Sequence, residues 1–127
     1  MEINFGERRD HTRINIEAKA KYKKLDSGAE RPNRDYDEVK IKNLGKRGVC
    51  IVTPVELEKD SMISIELLLN KRKIRSFGEV VWSRQNGGPG AYESGINFVA
   101  LKAEDIIFLE EFIEDKAIRR HDFFERE

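Results

Sequence analysis

Net charge, cysteine and long apolar runs are what this 127-residue chain lacks or nearly lacks. Its 24 Lys and Arg balance its 24 Asp and Glu, although 38% of its residues are charged. A general nucleic-acid or membrane-surface binder usually carries a basic excess, so those classes are disfavoured and any anion site has to be a local cluster. The one cysteine, Cys50, excludes an internal disulfide and suits a reducing compartment. Within the apolar run Val49-Cys50-Ile51-Val52 it reads as a small core residue, not a nucleophile or metal ligand. The start, Met1-Glu2-Ile3-Asn4-Phe5, has no basic segment followed by an apolar stretch and is not a secretory signal. Nothing approaches the ~20 apolar residues of a membrane span. The expectation is a soluble, cytoplasmic protein without membrane insertion.

The common chemical signatures are missing too. No histidine or cysteine cluster has metal-ligand spacing. There is no Walker loop, no nucleophile elbow and no plausible triad. His11 reads as a solvated loop residue, and Glu110, Glu111, Glu114 and Asp115 as a solvated helix face rather than a catalytic pair. An enzyme is not expected, nor a resident cofactor. The length suits a single domain over residues 1–127.

What is present is alternation. Ile14, Ile16, Ala18, Ala20 and Tyr22 face one way and charged or polar neighbours the other, which predicts a half-buried strand over residues 13–23. A polar loop follows at 26–35, then a second strand around Val39 and Ile41. A polar turn over 43–48 leads to a third strand at 49–53, and a fourth covers 62–69. Lys71-Arg72-Lys73 marks the next connection, before a fifth strand at about 74–84 whose Gly78 suits a bulge or sharp bend. On that strand Trp82 is expected to point inward with Val80, as a core residue. A loop at 86–90 precedes a sixth strand over 92–99. From about 102 to 120 the period becomes helical, with Ile106, Leu109, Phe112 and Ile113 as an apolar stripe that Ile107 and Phe108 widen. Acids crowd the first turn, and Lys116, Arg119 and Arg120 lie toward the end, as the helix dipole favours. Six short strands and a terminal helix predict a mostly β fold: a small antiparallel barrel over 14–100 with the helix packed on it.

Two polar elements stand out from this frame. Glu7-Arg8-Arg9-Asp10-His11-Thr12-Arg13 sets three arginines just ahead of the first strand. Their guanidiniums repel one another unless an anion or a carboxylate neutralises them, and each offers a planar fork of donors to phosphate oxygens or a guanine edge. Asn43-Leu44-Gly45-Lys46-Arg47-Gly48 is a short turn in which Asn43 can bond its own backbone and two glycines can take positive φ. Alone, either element is better read as an ordinary charged terminus or strand connection.

Together, and in this order, they resemble the PilZ family, whose members bind cyclic di-GMP through an RxxxR element and a [D/N]xSxxG element. Gly78-Glu79-Val80-Val81-Trp82-Ser83-Arg84 is similar to the family's GxVxW segment, and Tyr92-Glu93-Ser94-Gly95-Ile96-Asn97-Phe98 to its closing G[I/V]xF strand. The resemblance covers roughly residues 7–115. It implies a six-stranded PilZ-type barrel with a C-terminal helix, and cyclic di-GMP as the ligand. Arg9 and Arg13 stand at the RxxxR positions, Arg8 could add a contact, and Asn43 and Gly48 stand at the ends of the second motif. Gly45 replaces the serine whose hydroxyl reaches the ligand in the family. The resemblance further implies relay to an unidentified downstream protein, through ordering of a flexible arginine segment at residues 1–13. The alternative is a PilZ-like barrel that has given up the nucleotide and serves as a protein-interaction module. A small barrel for single-stranded nucleic acid needs a basic groove lined with aromatics; the neutral chain disfavours it, and no nucleic-acid partner is expected.

Overall fold

The structure, a computed structural model, describes residues 13–25 and 36–125, with side chains as far as Ala117. The expectations for Arg8, Arg9 and His11, for the loop at 26–35 and for the end of the chain therefore lie outside the described residues. Among the described residues six strands and one helix follow in order: β1 (Arg13–Lys24), β2 (Asp37–Gly45), β3 (Gly48–Thr53), β4 (Met62–Leu69), β5 (Arg72–Gln85), β6 (Tyr92–Phe98) and α1 (Ala103–Glu125). Every neighbouring pair is antiparallel, and the order β1-β2-β3-β6-β5-β4 closes on itself where β4 pairs with β1. Closure leaves no strand edge open for aggregation.

Alternation places the core inside this barrel. Ile14, Ala20 and Tyr22 from β1, Ile41 and Leu44 from β2, Val49 and Ile51 from β3 and the odd-numbered residues Ile63 to Leu69 of β4 are all buried there. The register shifts at three places, between β1 and β2 at Asn15/Ala18, between β2 and β3 at Ile41/Asn43, and between β5 and β6 at Val80/Trp82. In β2 and β5 the inserted residue turns the rest of the strand over, because side chains alternate with a period of two, whereas in β1 Ile14, Ala20 and Tyr22 stay buried on one face.

Several local expectations change. Gly78 is not at a bulge: it pairs in register with Ile63 and Phe98, and a β-carbon there would overlap the Ile96 side chain. The β4–β5 connection is the two-residue turn Asn70-Lys71, whose φ values of 50° and 69° match the twist of a hairpin, so Arg72 and Lys73 already belong to β5. The 43–48 element is mostly strand, with only Lys46 and Arg47 turning, and neither Gly45 nor Gly48 has a positive φ.

The helix closes over one end of the barrel through Leu109, Phe112 and Ile113. Its buried face is rotated from the expected stripe. Asp105 is buried where Ile106 was expected, and Ile106 and Ile107 are 42% and 56% exposed. The physical reason is Arg72, whose guanidinium bonds Asp105 Oδ1 at 2.9 Å and lies 5.0 Å from the Phe108 ring centre, so the ion pair and the ring together set the rotation. The helix also runs on to Glu125, which leaves Lys116, Arg119 and Arg120 short of its last turn. No helix among the described residues is long and apolar enough to cross a membrane.

Candidate functional site

The bulges build a cleft on the outer surface of the barrel. Beyond the β2 bulge Asn43 turns outward, on the same face as Arg13 at the start of β1, and Arg13 Nε donates to Asn43 Oδ1 at 2.7 Å. A terminal nitrogen of the same guanidinium reaches the carbonyl oxygen of Gly48 at 3.4 Å. Arg13 is thus held by two neutral acceptors, and among the described residues it has no carboxylate partner. Partial burial of the guanidinium lowers its pKa from the ordinary arginine value, because desolvation disfavours the charged form.

Across the sheet, the β5 bulge turns Trp82 out of the core, contrary to the expectation, and leaves it 38% exposed. It pairs with Gly95, and a β-carbon at Gly95 would collide with the indole nitrogen. The missing side chain is what lets the ring lie against β6. Gly95→Ala should therefore displace the indole, and the check is loss of the near-ultraviolet dichroism of this lone tryptophan in a protein that still unfolds cooperatively. An unchanged spectrum would show that the ring does not depend on Gly95.

Cys50 pairs with Gly95 on the other side and faces the same cleft, so it is buried but not part of the barrel interior. Burial pushes its thiol pKa up, with the Glu93 carboxylate adding to the effect. A raised pKa disfavours the thiolate, the reactive form of the side chain.

The third wall is ionic. Glu93, 5% exposed, accepts hydrogen bonds at Oε2 from Lys42 Nζ and Asn86 Nδ2, each at 2.5 Å, while Arg84 lies 3.5 Å from Oε1. Hydrogen bonding from Lys42, supported by Asn86 and Arg84, holds the Glu93 carboxyl below its ordinary pKa in spite of burial. The Arg84 guanidinium rests 5.0 Å from the centre of the Trp82 ring. Arg13, Lys42, Asn43, Cys50, Trp82, Arg84, Glu93, Gly95 and Asn97 together line a cleft of about 330 Å³.

Of the residues expected from sequence, the structure brings Arg13, Asn43 and the Gly48 carbonyl together. Gly45 lies beside them, paired with Arg13 and on the same strand face as Asn43, but it does not line the cleft. Lys42, Trp82, Arg84, Glu93 and Asn97 were missed. Trp82 and Asn97 lie inside the quoted β5 and β6 segments; Trp82 was placed on the wrong side of its strand, and no side was assigned to Asn97. Arg84 and Glu93 lie inside those segments as well, though at no fixed position of either motif, and nothing in the sequence marked Lys42 out from the many other charged positions. Among the described residues no group of His, Cys, Asp and Glu could hold a metal ion.

The described residues form a closed antiparallel barrel capped by a helix, with an arginine-asparagine cleft on its outer wall. The chain belongs to the PilZ domain family, whose model matches residues 7–115. Solved structures similar in fold include the Bacillus subtilis inhibitor of motility MotI/DgrA, with a TM-score of 0.72 and 10% identity over 85% of this chain and 50% of that one. The K. pneumonia MrkH–c-di-GMP complex gives 0.67 and 13%, over 87% of this chain and 52% of that one. The PilZ domain of Escherichia coli YcgR with c-di-GMP gives 0.62 and 15%, over 87% and 94%. The chain thus spans about half the length of MotI/DgrA and MrkH. No curated protein matches it in sequence.

Proposed function

We propose that this PilZ domain binds cyclic di-GMP at the cleft beside Arg13 and Asn43 and relays its presence to a partner protein. One observation carries the reading. Arg13 is a partly desolvated cation, oriented by Asn43 and the Gly48 carbonyl, and no carboxylate among the described residues neutralises it. An oriented guanidinium of this kind is matched by a phosphate. The exposed Trp82 indole offers a flat apolar surface in the same cleft, suited to a base. MrkH and YcgR, with the same fold, are structures with c-di-GMP bound. In the relay, Arg8 and Arg9 are drawn onto the ligand and change the surface presented to the partner. The test is isothermal titration of the full chain with cyclic di-GMP, with GTP as control. Micromolar binding selective for the cyclic dinucleotide supports the reading. No heat near a millimolar ends it.

Gly45 favours a second reading, a barrel kept for protein contacts alone. A serine at this position would project from the face that carries Asn43. With the cleft intact, Gly45→Ser should tighten nucleotide binding by about tenfold, the worth of one hydrogen bond to a charged group. Titration of the variant decides: no gain and no measurable binding would leave the interaction module.

A further inference from the structure

The ionic wall of the cleft has a property that the receptor reading does not need. An anion-binding cleft with cations at both ends carries its own carboxylate, and that carboxylate is nearly sealed from solvent. The two ends differ in kind. Arg13 is held by an amide oxygen and a backbone carbonyl, and no carboxylate among the described residues compensates its charge. Lys42 from β2 and Arg84 from β5 meet instead on Glu93 of β6, whose single negative charge the two cations share.

We propose that Glu93 is a built-in rival of the anionic ligand: its carboxylate holds the same Lys42 and Arg84 that a phosphate entering the cleft recruits, and binding proceeds by transfer of Arg84 from carboxylate to phosphate. The inference rests on the receptor reading for the identity of that ligand.

The geometry singles out Arg84 as the group that changes hands. Lys42 and Asn86 converge on one oxygen of Glu93 at 2.5 Å, which pins the carboxylate from two sides. Arg84 reaches the other oxygen at 3.5 Å, and its side chain is 68% exposed. A contact of that length is a weak ion pair, and an exposed one adds little stability. The guanidinium also lies against the Trp82 ring, so it is parked over the cleft rather than locked at its edge. Glu93 itself cannot withdraw. Its neighbours in register are Val52 and Arg84, and turning away would strip it of Lys42 and Asn86 while it stayed buried. A phosphate that takes Arg84 therefore sits near a fixed negative charge, in a cleft where screening is weaker than in open water. Glu93 lowers affinity twice: it competes for the cations, and it repels the ligand once that has bound. Such a residue sets the concentration at which the domain responds.

The test compares wild type, Glu93→Gln, Arg84→Gln and the double variant, each titrated with cyclic di-GMP and, separately, with inorganic pyrophosphate. Glutamine keeps the size of the side chain and an acceptor for Lys42. Glu93→Gln should bind both ligands about tenfold more tightly, equivalent to about 1.4 kcal/mol, and most of that gain should vanish in the double variant. Unchanged or weaker binding by Glu93→Gln overturns the proposal, since a residue that only positions the cations gives that result. A gain that survives intact in the double variant overturns transfer through Arg84. Pyrophosphate separates the two readings: a gain there with no nucleotide binding in any variant sinks the receptor and keeps the rival. Should Glu93→Gln fail to fold, the Arg84 Nε–H resonance of wild type decides. A shift on adding pyrophosphate supports the transfer, and a static resonance overturns it.

Discussion

Gly48→Ala should destabilise the protein by about 3 kcal/mol, at the upper end of what overpacking usually costs. The reason is where the new methyl would go. It would overlap the carbonyl oxygen of Ile96 on the neighbouring strand, with the adjacent main-chain carbons close behind. A crowded side chain can change rotamer, but a paired backbone has to move as a unit. Here the pairing is tight: Gly48 lies opposite Asn97, and the Phe98 amide donates to the Arg47 carbonyl at 2.8 Å. Relief would mean separating β3 from β6, one of the two seams, with β1–β4, that join the halves of the barrel. The measurement is the urea midpoint of unfolding, with the slope checked to confirm that only stability has changed. A midpoint equal to that of wild type would show that the β3–β6 contact is looser than this spacing requires. The glycine that the motif places for ligand approach is thus held first by the architecture of the sheet.

Arg13→Ala should lower affinity for cyclic di-GMP by roughly thirtyfold, and by at least tenfold, since a hydrogen bond to a charged group is worth about 1.5–3 kcal/mol. Stability should hardly move, because the residue is exposed overall, only its guanidinium is partly buried, and it bonds Asn43 and Gly48 at the rim of the cleft. That separation is what makes the variant informative. Arg13→Lys retains the charge but not the planar fork, and it has no Nε–H to engage Asn43 Oδ1, so it should recover only part of the loss. Titration of the three proteins under one salt condition checks both statements. Equal affinity for wild type and alanine would place the nucleotide elsewhere on the barrel or nowhere.

The barrel was legible because its strands are short, well punctuated and mostly alternating; β4 falls on the expected residues 62–69 without adjustment. The cleft was less so. Val80 and Trp82 have the spacing of two residues on one side of a strand, yet the inserted residue between them places one in the core and the other outside. The same applies to Ile41 and Asn43. A bulge is a matter of pairing with a partner strand, and no local pattern of hydrophobicity records it. Cys50 illustrates a related limit. Its apolar setting was read correctly as burial, but burial under an outer cleft and burial in a core look alike from composition. The rotation of α1 depended on a partner distant in the chain, Arg72, which gives Asp105 a reason to be buried that helical periodicity cannot supply.

The bulge in β5 also bears on how such a domain changes by descent. Which residues face the cleft is decided by parity, by whether an even or an odd number of positions separates them from the core residues before them. A substitution alters one side chain. Loss of a single codon ahead of Trp82 would instead turn over everything after it in β5, sending the indole inward and exchanging the faces of Ser83 and Arg84 at one stroke. In-frame insertions and deletions are therefore the mutations to which this kind of site is most exposed in evolution, and alignments that tolerate a one-residue gap in this strand would join proteins whose clefts have nothing in common.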